Sequence, residues 1–176
     1  MLPTRIAIVV IVSQLTGAFV AAHTEVGSMN TIRLLKTERP VSGLGSQIKR
    51  TFLDFVVDGV CLYERIGRRS DLISTLWKDP PMSREEQDKA IRRLLTLDTG
   101  DLPNGRVSLY VCPECGDLGC GVISALINVA DNQITWRDFG YENNYEENVE
   151  RDSYSSVGPF HFNRSDYQAT LNLKLP

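Results

Sequence analysis

Residues Val107–Val129, VSLYVCPECGDLGCGVISALINV, decide how this chain folds. Val107, Leu109 and Val111 recur with the period of two that places side chains on one face of a strand, and Ile123, Ala125, Ile127 and Val129 do the same further on. Between the two runs, Cys112-Pro113-Glu114-Cys115-Gly116-Asp117-Leu118-Gly119-Cys120-Gly121 holds three of the four cysteines, interleaved with glycine and proline. Glycine and proline punctuate a chain, so this is a tight bend lined with sulfur joining two neighbouring strands. Asp131-Asn132 then turns the chain into Gln133–Phe139, where Ile134 and Trp136 point one way. The second half therefore reads as an antiparallel meander.

Upstream, Thr31–Lys36 reads as a first strand, followed by a loop with Pro40, Gly43 and Gly45. Phe52–Val57 alternates, with Leu53, Phe55 and Val57 on one face. Asp58-Gly59 separates it from an apolar run over Val60–Arg65, a hairpin signal because both turn residues adopt φ > 0. Two helices are predicted next. One is a short helix over Asp71–Trp77 capped by Ser70; the other opens on the capping box Ser83–Glu86 and runs to about Leu95, with Ile91, Leu94 and Leu95 inward. Tyr141–Asp152, acidic and rich in Asn and Tyr, reads as an exposed loop. Val157–Phe162 reads as a last strand, and Ser165 as the cap of a final helix. Strands, helices, then a meander define an α+β class: an antiparallel β-meander with two or three short helices in one domain, residues 29–176.

Residues 1–28 form an N-terminal extension with two readings. Arg5, the apolar run Ile6–Val12 and Val20-Ala21-Ala22 resemble a signal segment cleaved after Ala22, hence export. Alternatively, synthesis starts at Met29: Ser13 and Gln14 interrupt the apolar run, and Glu25-Val26 can be encoded by a purine-rich ribosome-binding sequence. That reading places the protein in the cytoplasm, and the residues favour it. Nothing after residue 22 is long and apolar enough to span a bilayer. The net charge of −3 argues against nucleic acid as a partner, since phosphate binding needs a basic face. Arg65, Arg68 and Arg69 cluster, as do Arg92 and Arg93, but as solvated edges.

The cysteines admit three readings. Cys112-Pro113-Glu114-Cys115-Gly116 has the shape of a zinc knuckle, but a closed zinc site takes four ligands. Cys120 is a third, and the fourth would come from Cys61 or His161. A redox pair requires a helix starting at the first cysteine, and strands flank this bend instead. After export, Cys112 and Cys120 would be placed to form a disulfide. The bland alternative is a glycine-rich hairpin whose thiols fill space. Asp117 and Asp138 are candidate paired carboxylates, and His161 is a candidate base without an identified nucleophile. Ser42–Ser46 lacks the lysine of a phosphate loop.

The segment Tyr141–Tyr154 interleaves Tyr141, Tyr145 and Tyr154 with Glu142, Glu146, Glu147, Glu150 and Asp152. Tyrosine supplies rigid contact area and carboxylates suit a basic partner, which makes Tyr145, Glu146 and Glu147 candidate protein-binding residues.

The run Leu109–Gly121, with Trp136-Arg137-Asp138-Phe139 and Gly158-Pro159-Phe160, resembles a family of small uncharacterised bacterial proteins sharing a Cys-Pro-x-Cys-x-Asp-Leu-Gly-Cys-Gly turn. The similarity covers most of residues 50–171. Some members carry an oxidoreductase label, yet the resemblance implies no cofactor and no active-site residue. The predicted architecture also resembles small acidic immunity proteins that neutralise toxins. The expectation is thus a non-enzymatic bacterial protein-binding domain of immunity type, with a cysteine-dependent zinc or thiol-redox protein as the alternative.

Overall fold

The turn at Asp58-Gly59 forms as its residue types require, with φ of 51° and 81°. It joins strand β2 (Thr51–Val57) to β3 (Val60–Cys61), and β1 (Ile32–Glu38) pairs antiparallel on the other edge of β2. The computed structural model describes residues 28–39, 49–67, 72–77 and 82–172; the Ser42–Ser46 loop, Arg68, Arg69 and nearly all of the N-terminal extension lie outside them. A second antiparallel sheet runs in chain order through β4 (Ile73–Ser74), β5 (Val107–Val111), β6 (Val122–Ala130), β7 (Gln133–Glu142) and β8 (Phe160–Asn163). Helices α1 (Leu62–Arg65), α2 (Arg84–Leu94) and α3 (Arg164–Leu171) complete an α+β fold containing the expected meander. Among the described residues, no helix is long and apolar enough to cross a membrane.

Several local expectations are corrected. The run Val60–Arg65 stays extended for two residues only. Leu62 and Tyr63 are both buried, and adjacent residues of a strand point to opposite faces, whereas a helical turn sends both inward. Of the helix expected over Asp71–Trp77, residues 72–77 are not helical, and Asp71 and the cap Ser70 lie outside the described residues. Residues 72–77 are all buried and form the seam between the sheets. Ile73 and Ser74 pair with Val111 and Tyr110 of β5, Leu53 N–H donates to Leu76 O at 2.8 Å, and Phe52 bridges Trp77. Two sheets satisfy backbone groups that a helix would have paired internally.

On β6 the apolar face forms as expected: Ile123 and Ala125 are buried in the core, Ile127 packs against it opposite Trp136, and Val129, opposite Ile134 near the end of the strand, is exposed. The last helix is capped by Asn163, whose side chain accepts from Ser165 N and Asp166 N; Ser165 lies inside the helix. Tyr141–Asp152 is an exposed loop only in its middle: Tyr141 and Glu142 end β7, Val149 is buried, and Tyr141 bridges Glu150.

The Ser83–Glu86 capping box forms as predicted, and α2 turns Gln87, Ala90, Leu94 and the following Leu95 inward. The core closes on aromatic rings. Phe55 packs edge-on against Trp136 at 5.1 Å and against Tyr110 at 6.2 Å, which ties the two sheets together. Trp136 Nε1 donates to the Tyr167 hydroxyl at 3.1 Å, and that hydroxyl donates to Leu94 O at 2.8 Å, so α2, α3 and β7 share one buried chain of hydrogen bonds.

Candidate metal centre

The bend between β5 and β6 is held by its own backbone. Gly116 N–H donates to Cys112 O at 2.9 Å, with Gly116 at φ 68°. Asp117 caps a short 3-10 turn, Leu118–Cys120, by accepting from Gly119 N–H at 2.7 Å, and Gly121 N–H returns to Leu118 O. This wrapping brings the Sγ atoms of Cys112, Cys115 and Cys120 within 4.8 Å of one another, with Cys115 and Cys120 at 3.6 Å. Three thiolates around a tetrahedral zinc, with Zn–S near 2.3 Å, sit about 3.8 Å apart. The trio is therefore already close to the spacing that such an ion imposes.

The surroundings favour a ligand role. Asp117 N–H points at Cys115 Sγ at 3.4 Å, the kind of backbone donor that stabilises a thiolate. Without a metal, the thiol of Cys120 is pushed up to about 12, chiefly because Cys115 shares a hydrogen bond with it, then by burial and the neighbouring sulfurs. A cation between the three sulfurs would favour the thiolate form of Cys120. Arg50 braces the outer side of the bend, with Nε donating to Pro113 O at 2.9 Å and its guanidinium 4.9 Å above the Trp77 ring.

Cys61 is not part of this group. It lies on β3 against Asp54, where burial and the Asp54 charge raise its thiol above the usual range, and it contributes no ligand to the trio. Nor does His161, whose Nδ1 meets Gln133 Nε2 at 2.5 Å and Thr135 Oγ1 at 3.2 Å. Among the described residues the trio has no fourth Cys, His, Asp or Glu, which is the open coordination of zinc sites that take an exogenous donor. Asp117 and Asp138 do not form a carboxylate pair: Asp117 caps the 3-10 turn, whereas Asp138 binds Arg106 and Arg151.

The tyrosine segment lies against the bend. The Tyr145 ring occupies the space beside Gly119, and Tyr141 covers Gly121 while its hydroxyl donates to Cys120 O at 3.4 Å. Asn143 Oδ1 accepts from the N–H groups of Tyr145 and Glu146, both at 2.9 Å, fixing a turn that leaves Tyr145 77% exposed with Glu146 and Glu147 exposed beside it. Sequence reasoning missed this juxtaposition. Gly119 was its signal, because that position needs no positive φ and its glycine makes room for a ring.

It also missed a buried ion network. Arg106 donates through Nε to Glu142 Oε1 at 2.7 Å and through Nη1 to Asp138 Oδ2 at 2.6 Å, and Ser124 bonds both Arg106 and Glu142. Glu142, read as part of an acidic surface, is a buried structural partner.

No protein-family model, curated protein or solved structure matches this chain.

Proposed function

We propose that this protein binds a thiophilic divalent metal, zinc by ligand chemistry, through Cys112, Cys115 and Cys120. The observation that carries this reading is the convergence of three sulfurs within 4.8 Å on a bend held by its own hydrogen bonds. Soft thiolates select zinc over magnesium or calcium, and the fourth position is left for a donor from outside the trio. Elemental analysis of the purified chain, with thiol titration before and after chelation, tests it. The expected result is one zinc per chain, lost in Cys112→Ser and retained in Cys61→Ser. Four freely titrating thiols with no metal uptake from added zinc would sink it. The reading requires reduced thiols, which synthesis from Met29 in the cytoplasm would provide and export after cleavage at Ala22 would oppose. The intact mass of the native protein distinguishes these starts.

A second reading, a non-enzymatic protein-binding domain of immunity type, is supported by the exposure of Tyr145 on a fixed turn with Glu146 and Glu147 exposed beside it. In it Tyr145, Glu146 and Glu147 meet a basic protein partner. Pull-down from the native host followed by binding of the Tyr145→Ala/Glu146→Ala/Glu147→Ala variant tests it; unchanged affinity would remove this loop from the interface.

A further inference from the structure

Cys115 and Cys120 stand apart from Cys112 within the trio. Their Sγ atoms share a hydrogen bond at 3.6 Å, and both residues are exposed, whereas Cys112 is half-buried. A disulfide bond is about 2 Å long, so closure of this pair requires a shift of roughly 1.5 Å. Cys115 also lines a cleft between α2 and the seam residues Thr75 and Trp77, which admits a small oxidant.

The bend is held more firmly on one side than on the other. At Cys112, the following Pro113 is buried and its carbonyl accepts from Arg50 Nε at 2.9 Å, while Cys112 O accepts from Gly116 N–H at 2.9 Å. Cys120, by contrast, ends a single 3-10 turn and lies between Gly119 and Gly121. That turn is closed by longer bonds, Cys120 N–H to Asp117 O at 3.2 Å and Gly121 N–H to Leu118 O at 3.1 Å. Rotation of two exposed side chains with a small shift of the turn brings the sulfurs together, and the backbone at Cys112 stays in place. No helix starts at the bend to activate either thiol; the nearness of the sulfurs drives closure instead.

We infer that Cys115 and Cys120 close to a reversible disulfide and that this closure empties the metal site. The inference rests on the metal-binding reading above. The oxidant is a hydroperoxide. One sulfur attacks a peroxide oxygen, the O–O bond breaks, and a sulfenic acid forms with loss of one water. The second sulfur then attacks the first; the S–S bond forms, the S–O bond breaks and a second water leaves. Two electrons pass from the pair to one peroxide, and when the sulfurs start as zinc-bound thiolates two protons come from solvent. The thiolate is the metal-binding form of cysteine, so closure leaves Cys112 as the one remaining sulfur ligand. A dithiol reverses the step, giving up two electrons and becoming a disulfide as both thiols return; exposed disulfides are the more readily reduced ones.

The test uses the full chain, reduced and loaded with zinc in the absence of oxygen, then given an equal amount of hydrogen peroxide. A chromogenic chelator follows released metal, and a parallel sample without peroxide should keep its zinc. Mass spectrometry after cleavage at Glu114 and Asp117, which separates all three sulfurs, reads the pairing. The expected result is one zinc released per disulfide, the disulfide joining Cys115 to Cys120, with dithiothreitol restoring both thiols and zinc uptake. Cys112→Ser should still form that disulfide, and Cys61→Ser should match wild type in pairing and release. Pairing of Cys112 with either neighbour, disulfides between chains, zinc loss through sulfinic acid without a disulfide, or zinc retained after closure would each overturn the inference. Zinc bound with no Cys115–Cys120 disulfide would overturn it and leave metal binding standing. The disulfide forming in a chain that never takes up zinc would overturn metal binding, and the release with it.

Discussion

Tyr141 lies across Gly121 so closely that a β-carbon at residue 121 would coincide with the tyrosine hydroxyl and ring edge. Gly121 also holds φ 93°, a region that L-residues enter only with strain. Gly121→Ala is therefore expected to destabilise the fold by about 2–3 kcal/mol, from backbone strain and collision together. Urea unfolding checks this. Gly119→Ala provides the contrast: its β-carbon meets the Tyr145 ring, which is exposed and free to swing away, so the expected loss is under about 1 kcal/mol.

Arg106 and Glu142 form a nearly water-free ion pair, each side chain 2% exposed. Arg106→Met leaves Glu142 charged and buried, and should cost about 3–5 kcal/mol. Replacing both partners, as Arg106→Met/Glu142→Leu, should restore part of that loss, because no unpaired carboxylate then remains at residue 142. Asp138 keeps Arg151 in both variants. A double-mutant cycle by chemical denaturation measures the recovery; strictly additive losses would contradict the account.

Two carboxylates should bend the stability profile in opposite directions. The Asp138 carboxyl is held below its ordinary 3.8, first by the hydrogen bond from Arg151 and then, against burial, by the Arg106 charge. Its contribution is present above pH 3.8 and is lost as pH falls through the lower folded value. Asp138→Asn should therefore be less stable than wild type at neutral pH, with the deficit shrinking in acid. Asp54, buried on β2, is raised above 3.8 by burial, opposed by the Tyr110 hydroxyl, which donates to it at 2.5 Å. The folded state then binds its proton more tightly than the unfolded chain, so its contribution is greatest below pH 3.8 and falls as pH rises through the folded value. The deficit of Asp54→Asn should shrink as pH rises through that window. Thermal melts across the acid range measure both trends.

Zinc affinity should rise with pH near neutrality, because the thiols must lose protons to become ligands. Calorimetry in buffers of different ionisation enthalpy should detect proton release on binding. Fewer protons should be released in Cys120→Ser, while Cys61→Ser should match wild type. A pH-independent affinity would exclude the thiolates as ligands.

The parts of this fold legible in the residues are those in which a few consecutive side chains satisfy one another. Asp58-Gly59 supplies both positive φ angles of its turn, and Ser83 and Glu86 bond each other's backbone three residues apart. Local choices between equivalent neighbours were less legible. Asn163 and Ser165 are both good caps, and pairing of Asn163 with Gln133 at the end of β8 makes the earlier one the cap. Residues 72–77 were read as a helix because their partners, Leu53, Leu109 and Tyr110, lie at least nineteen positions away. The cysteine grouping fell between these cases: Cys112, Cys115 and Cys120 were readable as neighbours, whereas the separation of Cys61 from them depended on where β3 lies.

By itself, then, the sequence determined the turns, the capped helix and a sulfur-bearing bend between adjoining strands, since short hydrogen bonds and limits on φ act over a handful of residues. Only the tertiary structure decided that Tyr141 and Tyr145 cover that bend, that Arg106 and Glu142 pair in the interior, and that Thr75 and Trp77 line a cleft shared with Cys115. Those relationships join residues some 20 to 40 positions apart, and their spacing is set by sheet register and core packing rather than by any local preference.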